Sequence, residues 1–155
     1  MSRHGMQNLE NLYIRKLEKR ISEIGTHAWS EAVPFSDVAM AETKAHLSLA
    51  EARRLTYRRV RPGRRWGKPW STAWFRLRGR VPRAFRGQSV SLLFDPEGES
   101  IVFHNGELVQ GLDPNRQDVL LYKRARGGER VEIYVEAGAS SAFGRHGTRD
   151  RKSVV

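Results

Sequence analysis

The sequence predicts a mainly β chain: an antiparallel, jelly-roll-like (galactose-binding-like) β-sandwich preceded by one or two N-terminal α-helices. Three observations carry that expectation. The apolar residues change period once, near Thr56, from steps of three and four to alternation. Beyond that point, short alternating segments are separated by turn-forming Gly, Pro, Asn and Asp. The chain's 155 residues, 39% of them hydrophobic, are about one domain's worth, and the absence of cysteine leaves the core to hold the fold without disulfides. The expected division is a helical segment at 1–55, a sandwich at 56–144 and a tail at 145–155.

Taken in order, Leu9, Leu12, Tyr13, Leu17, Ile21 and Ile24 form one stripe of an amphipathic helix that Gly25 can terminate. An irregular segment with Pro34 follows, and Ser48 and Glu51 have capping-box spacing ahead of a second short helix. In "TAWFRLRGRVP" the alternation puts Phe75, Leu77 and Val81 on one side and Trp74, Arg76, Arg78 and Arg80 on the other, as a half-buried strand requires. "QSVSLLF" repeats it with Val90, Leu92 and Phe94, and "DPEGE" is a turn by composition. "SIVFHNGELVQG" predicts a hairpin, because Asn105-Gly106 tolerates the positive φ of a type I′ turn. "QDVLLYK" and "ERVEIYVEA" complete six or seven strands, the last with Val131, Ile133 and Val135 inward.

Several functions are disfavoured by the same reading. No apolar run reaches the ~18 residues of a membrane span, and charges interrupt the N-terminus where a signal peptide needs an apolar stretch, so a cytoplasmic chain without a membrane partner is expected. The net charge is +11, and from Ala52 to Phe94 there is no acidic residue while thirteen basic ones occur. Such a field attracts polyanions, yet 22 of the 28 basic residues are Arg, a skew that codon usage alone can produce, and a nucleic-acid partner is not expected. His4, His27, His46, His104 and His146 show no ligand-pair spacing, so neither a metal site nor a catalytic residue is assigned. Asp95 and Glu97 flank Pro96 beside Gly98 and read as turn chemistry rather than an acid/base pair. The binding or interdomain candidates are Trp66, Trp70 and Trp74, with Arg76 as a neighbouring guanidinium. Aromatic faces stack on sugars or bases, or else close the edge of a core.

The run from Gly67 to Leu112, followed by "VEIYVEAGASSAFG", resembles the N-terminal domain of the cytosolic and vacuolar type α-mannosidases of glycoside hydrolase family 38. Its more specific elements are Thr72–Arg76 as "TAWFR", the Asn105-Gly106 turn running into Gln110-Gly111, and Val135-Glu136-Ala137 ahead of Phe143-Gly144. The resemblance implies an accessory domain whose partner is the catalytic domain of the same protein. That following domain would hold a zinc ion, or another divalent metal, and an aspartate nucleophile for retaining hydrolysis of α-mannosides; no cofactor is expected in residues 1–155. The residues Asp150–Val155 resemble a translated sequencing adapter and are expected to be a non-native scar on a truncated chain. The alternatives are an independent carbohydrate- or polyanion-binding sandwich, or an accessory domain of another glycoside hydrolase.

Overall fold

The computed structural model describes residues 31–68 and 70–139. The chain divides into two compact units, Met1–Pro34 and Phe35–Val155, and the fold below is that of the second. Its elements are β1 (Asp37–Thr43), α1 (Leu49–Ala52), β2 (Arg58–Arg59), β3 (Thr72–Arg80), a 3-10 turn at Arg83–Phe85, β4 (Val90–Leu93), β5 (Ser100–His104), β6 (Glu107–Leu112), β7 (Asp118–Tyr122) and β8 (Arg130–Gly138). Six strands form one antiparallel sheet in the order β2-β1-β3-β8-β5-β6, and β4 and β7 form a second, two-stranded one. The architecture is therefore the mainly β, antiparallel one that the alternation predicts.

The core lies where the two sheets face each other. Phe75 and Leu77 of β3 pair with Val135 and Ile133 of β8, and Val102 of β5 pairs with Val135 from the other side, so one register row crosses three strands. Leu92, Phe94 and Val119 meet that row from the smaller sheet, with the Phe94 and Phe75 rings edge-to-face at 5.3 Å. Strict alternation makes this possible, because any one-residue slip would turn the whole apolar set outward. The β5–β6 hairpin turns at Asn105 (φ 54°) and Gly106 (φ 87°), the two left-handed positions a type I′ turn demands. Asp95 closes its turn by accepting the Glu97 N–H at 2.7 Å and the Gln117 side-chain amide at 2.6 Å, so its carboxylate is spent on structure.

Four sequence expectations need correction. Residues 37–43 lie in the segment assigned to helix, yet they form β1, paired with β3 along all seven residues. The sandwich unit therefore begins at Phe35 rather than near residue 56. Its strands number eight among the described residues because β1 and β2 add to the six legible ones. The capping box does form: Ser48 Oγ accepts the Glu51 N–H while Glu51 accepts the Ser48 N–H. However, α1 is a single turn inserted between two strands, not an element preceding the sheet. The stripe from Leu9 to Ile24 and the segment 150–155 lie outside the described residues. No helix among the described residues is long and apolar enough to cross a membrane.

His104 is the last inward-facing residue of β5 and is buried, its Nε2 3.4 Å from the Tyr122 hydroxyl of the opposing sheet. Burial holds its pKa below the ordinary imidazole value, since the charged form loses water. The unfolded chain then binds the proton more readily, so stability is fully present above about pH 6.5 and declines as the pH falls through and below that value. Urea midpoints compared between pH 7.5 and 5.5 should fall more steeply in the natural chain than in His104→Gln. Equal slopes would show that His104 does not contribute.

Candidate functional site

The face of the six-stranded sheet that points away from the core carries the residues with chemistry. On β3 it presents Trp74, Arg76 and Arg78; on β8 their partners Glu136, Tyr134 and Glu132; on β1 Ala41, Ala39 and Asp37. The segment from Leu47 to Tyr57, which includes α1, lies over this face and packs Leu47, Leu49, Leu55 and Tyr57 against Trp74, Tyr134 and Ala52. Trp74 thus lies opposite Phe75 and Leu77, as alternation requires, but it does not meet water: its exposure is 0%, with the indole stacked on Phe103 at 5.7 Å and 27°. The expectation of an exposed platform or interdomain surface at Trp74 is overturned. The cover comes from residues some twenty positions earlier in the chain, which the strand pattern does not reveal.

Arg76 is half-buried beneath the same cover. Its guanidinium sits 4.8 Å from the Tyr57 ring centroid, and Nη2 is 3.7 Å from Asp37 Oδ2. One residue pair along, Arg78 donates to Glu132 Oε1 at 2.6 Å, and Arg53 lies 5.6 Å over the Tyr134 ring. Arg76 therefore clamps the cover onto the sheet by cation–π and ionic contact rather than waiting for a ligand. Burial pushes the Tyr57 and Tyr134 hydroxyls upward, away from any titration near neutrality. Burial also raises the Glu136 carboxyl above the ordinary range, with the charge of His46 opposing it. Sequence reading missed Tyr57, Asp37, Glu132 and Tyr134. The alternation in "VEIYVEA" places Glu132 and Tyr134 on one face, but only the β3–β8 register brings them to the arginines.

The other two tryptophans part company. Trp66 is buried in the main core, its ring edge-to-face with Phe75 at 5.3 Å, and so is a packing residue. Trp70 is 87% exposed and has a left-handed backbone, φ 63°. It stands at the third position of a turn closed by the Ser71 N–H to the Lys68 carbonyl at 3.0 Å, a position where glycine usually supplies positive φ. The turn is fastened on every side. Ser71 Oγ donates to the Lys68 carbonyl and accepts the Lys68 N–H; Gly67 donates to Glu42 Oε1; Ala139 donates to the Ser71 carbonyl. A strained backbone that holds a large apolar ring in water brings the free chain no packing in return, and such outliers mark functional positions. Of the four sequence candidates, Trp70 is the one that remains accessible.

Comparison with known proteins places these residues in context. A family model described as "Alpha-mannosidase, jelly roll domain" matches residues 33–153. Human alpha-mannosidase 2C1 is 33% identical over 106 residues, covering 66% of this chain and 10% of that protein. Alpha-mannosidase G of Dictyostelium discoideum is 26% identical over 103 residues, or 63% of this chain and 10% of its own length. Mouse alpha-mannosidase 2C1 is 34% identical over 86 residues, which is 53% of this chain and 8% of that protein. The chain spans about a tenth of the length of the curated relatives it matches.

Proposed function

Since the chain belongs to the α-mannosidase jelly roll domain family, we propose that it is the non-catalytic accessory sandwich of a larger cytoplasmic α-mannosidase, a glycoside hydrolase acting on terminal α-mannosides. One observation carries this reading: the family match begins at residue 33, beside the start of the compact sandwich unit at Phe35, while the aligned segment makes up only 10% of the human relative. On this reading the zinc implied by the resemblance sits in a following domain of the whole protein, and no step of the chemistry is assigned to this one. Its role is mechanical support of that domain, with Trp70 as the contact.

Two measurements test this. The purified chain should not turn over aryl α-mannosides, with or without added zinc; activity that survives repurification would overturn the non-catalytic reading. Residues 33–139, grafted in place of the matching segment of human alpha-mannosidase 2C1, should support an active enzyme. In the graft Trp70→Gly should lower the thermal midpoint of activity. The same change should leave the free chain as stable as before or slightly more so, because relief of left-handed strain, about 1–2 kcal/mol, offsets glycine's extra freedom in the unfolded state, about 0.5–1 kcal/mol. A graft indifferent to Trp70→Gly would remove Trp70 from the interface.

A further inference from the structure

The outer edge of the six-stranded sheet is incompletely covered. β2 is two residues long and pairs only Ala39 and Met40 of β1, whereas Ala41, Glu42 and Thr43 continue the strand, bound to β3 on one side and with no strand on the other among the described residues. Past β2 the Val60 N–H still reaches the Val38 carbonyl at 2.9 Å, and a cleft of about 910 Å³ opens beside β1. Met40, Leu55 and Val60 give it an apolar lining, and Arg58, Arg61 and Arg64 a basic one.

Those three arginines are exposed, and among the described residues none has a carboxylate within ion-pair distance. Elsewhere in the basic run Arg59 is held by Asp37 at 2.8 Å and Arg78 by Glu132. These three arginines, with Glu42 as the one carboxylate in the lining, set a positive field beside the stretch of sheet edge where β1 still offers main-chain groups.

We propose that this cleft receives an extended, acidic segment of a protein partner, added as a strand along Ala41–Thr43 with its carboxylates on Arg58, Arg61 and Arg64. Main-chain pairing at an open edge supplies affinity, and alternate side chains supply specificity. An added strand points successive residues to opposite faces, so a segment alternating acidic and apolar residues matches the mixed lining. Single-stranded nucleic acid fits less well, because its binding relies on aromatic rings for base stacking and no aromatic residue lines this cleft. The proposal stands independently of the mannosidase assignment.

The test uses the natural chain and a fluorescein-labelled decapeptide of alternating Glu and Val, followed by anisotropy. Micromolar binding at low salt is expected, weakening about tenfold or more in roughly 0.5 M salt. The same peptide N-methylated at alternate residues keeps its charge but cannot pair, and should bind about tenfold more weakly. Charge reversal by Arg58→Glu, Arg61→Glu and Arg64→Glu together should abolish binding and create binding to an alternating Lys-Val peptide. Because these side chains are exposed and, among the described residues, without an ion pair, the variant should fold, as its circular dichroism will verify; if it does not, the N-methylated peptide decides alone. Absence of binding, equal binding of the N-methylated peptide, or tighter binding of a single-stranded DNA ten-mer would each overturn the proposal.

Discussion

Replacing Trp74 with Ala is expected to destabilise the chain by about 3–5 kcal/mol, the range for removal of a fully buried large aromatic. The indole is enclosed on both sides. Beneath it Ala41 of β1 and Glu136 of β8 are its direct cross-strand neighbours, and its ring lies on Phe103. Above it Leu47, Leu49, Leu55 and Tyr57 complete a second, smaller apolar cluster separate from the main core. Truncation would leave a cavity that a sheet cannot close by shifting, because all nine residues of β3 are paired to β8. It would also loosen the cover over Arg76, so the Tyr57 cation–π contact should be lost with it. With total stabilities of about 5–15 kcal/mol in domains generally, much of the Trp74→Ala population would be unfolded or near it. Trp74→Phe keeps an aromatic against Phe103 and should retain most of the midpoint. Denaturant unfolding with an unchanged m-value checks both, and a Trp74→Ala midpoint within error of the natural chain would return the residue to the surface.

Gly67→Ala should cost about 2–5 kcal/mol for two separable reasons. Its φ of 83° is left-handed, which costs a side-chain-bearing residue about 1–2 kcal/mol. An added Cβ would also stand 2.7 Å from the Ala139 Cβ, closer than any carbon contact allows, and overpacking of this kind costs about 1–3 kcal/mol. Ala139→Gly in the same chain should recover the steric part and leave the conformational part, a positive coupling between the two positions. Because the Ala139 N–H bonds to the Ser71 carbonyl, the clash would be transmitted to the turn that presents Trp70. An additive pair of substitutions would show that the loop yields freely there.

What could be read in advance was local. The alternation of β3 and β8, the Asn105-Gly106 turn and the Ser48–Glu51 capping box each depend on residues within a few positions of one another, and all appear as the sequence predicts. β1 escaped because Ala39 and Ala41 carry no strand preference of their own; they are small where Arg76 and Trp74 lie across the pair. The fates of Trp66, Trp70 and Trp74 were not legible for a related reason. Burial of Trp74 depends on a cover from Leu47–Tyr57, and burial of Trp66 on Phe75 across the core. Only Trp70 carried a local hint, since in the sequence "KPWS" a turn-forming proline precedes the indole. The basic run looked uniform in sequence, yet Asp37 and Glu132 neutralise parts of it from distant strands.

The last strand among the described residues, β8, occupies the slot between β3 and β5. That position governs the order of assembly. During synthesis β3 emerges with β1 available on one side, but its other edge waits for Arg130–Gly138. About 50 residues separate Arg80 from Arg130, so at roughly 5–20 residues per second the edge stays open for about 3–10 s. The β5–β6 hairpin can close within that interval, because its two strands are neighbours in sequence, whereas the half-sheet of β1 and β3 cannot join it. A nascent chain stalled before β8 therefore displays two unpaired apolar edges at once, and recruitment of a chaperone or edge-to-edge association with another chain becomes a competing fate.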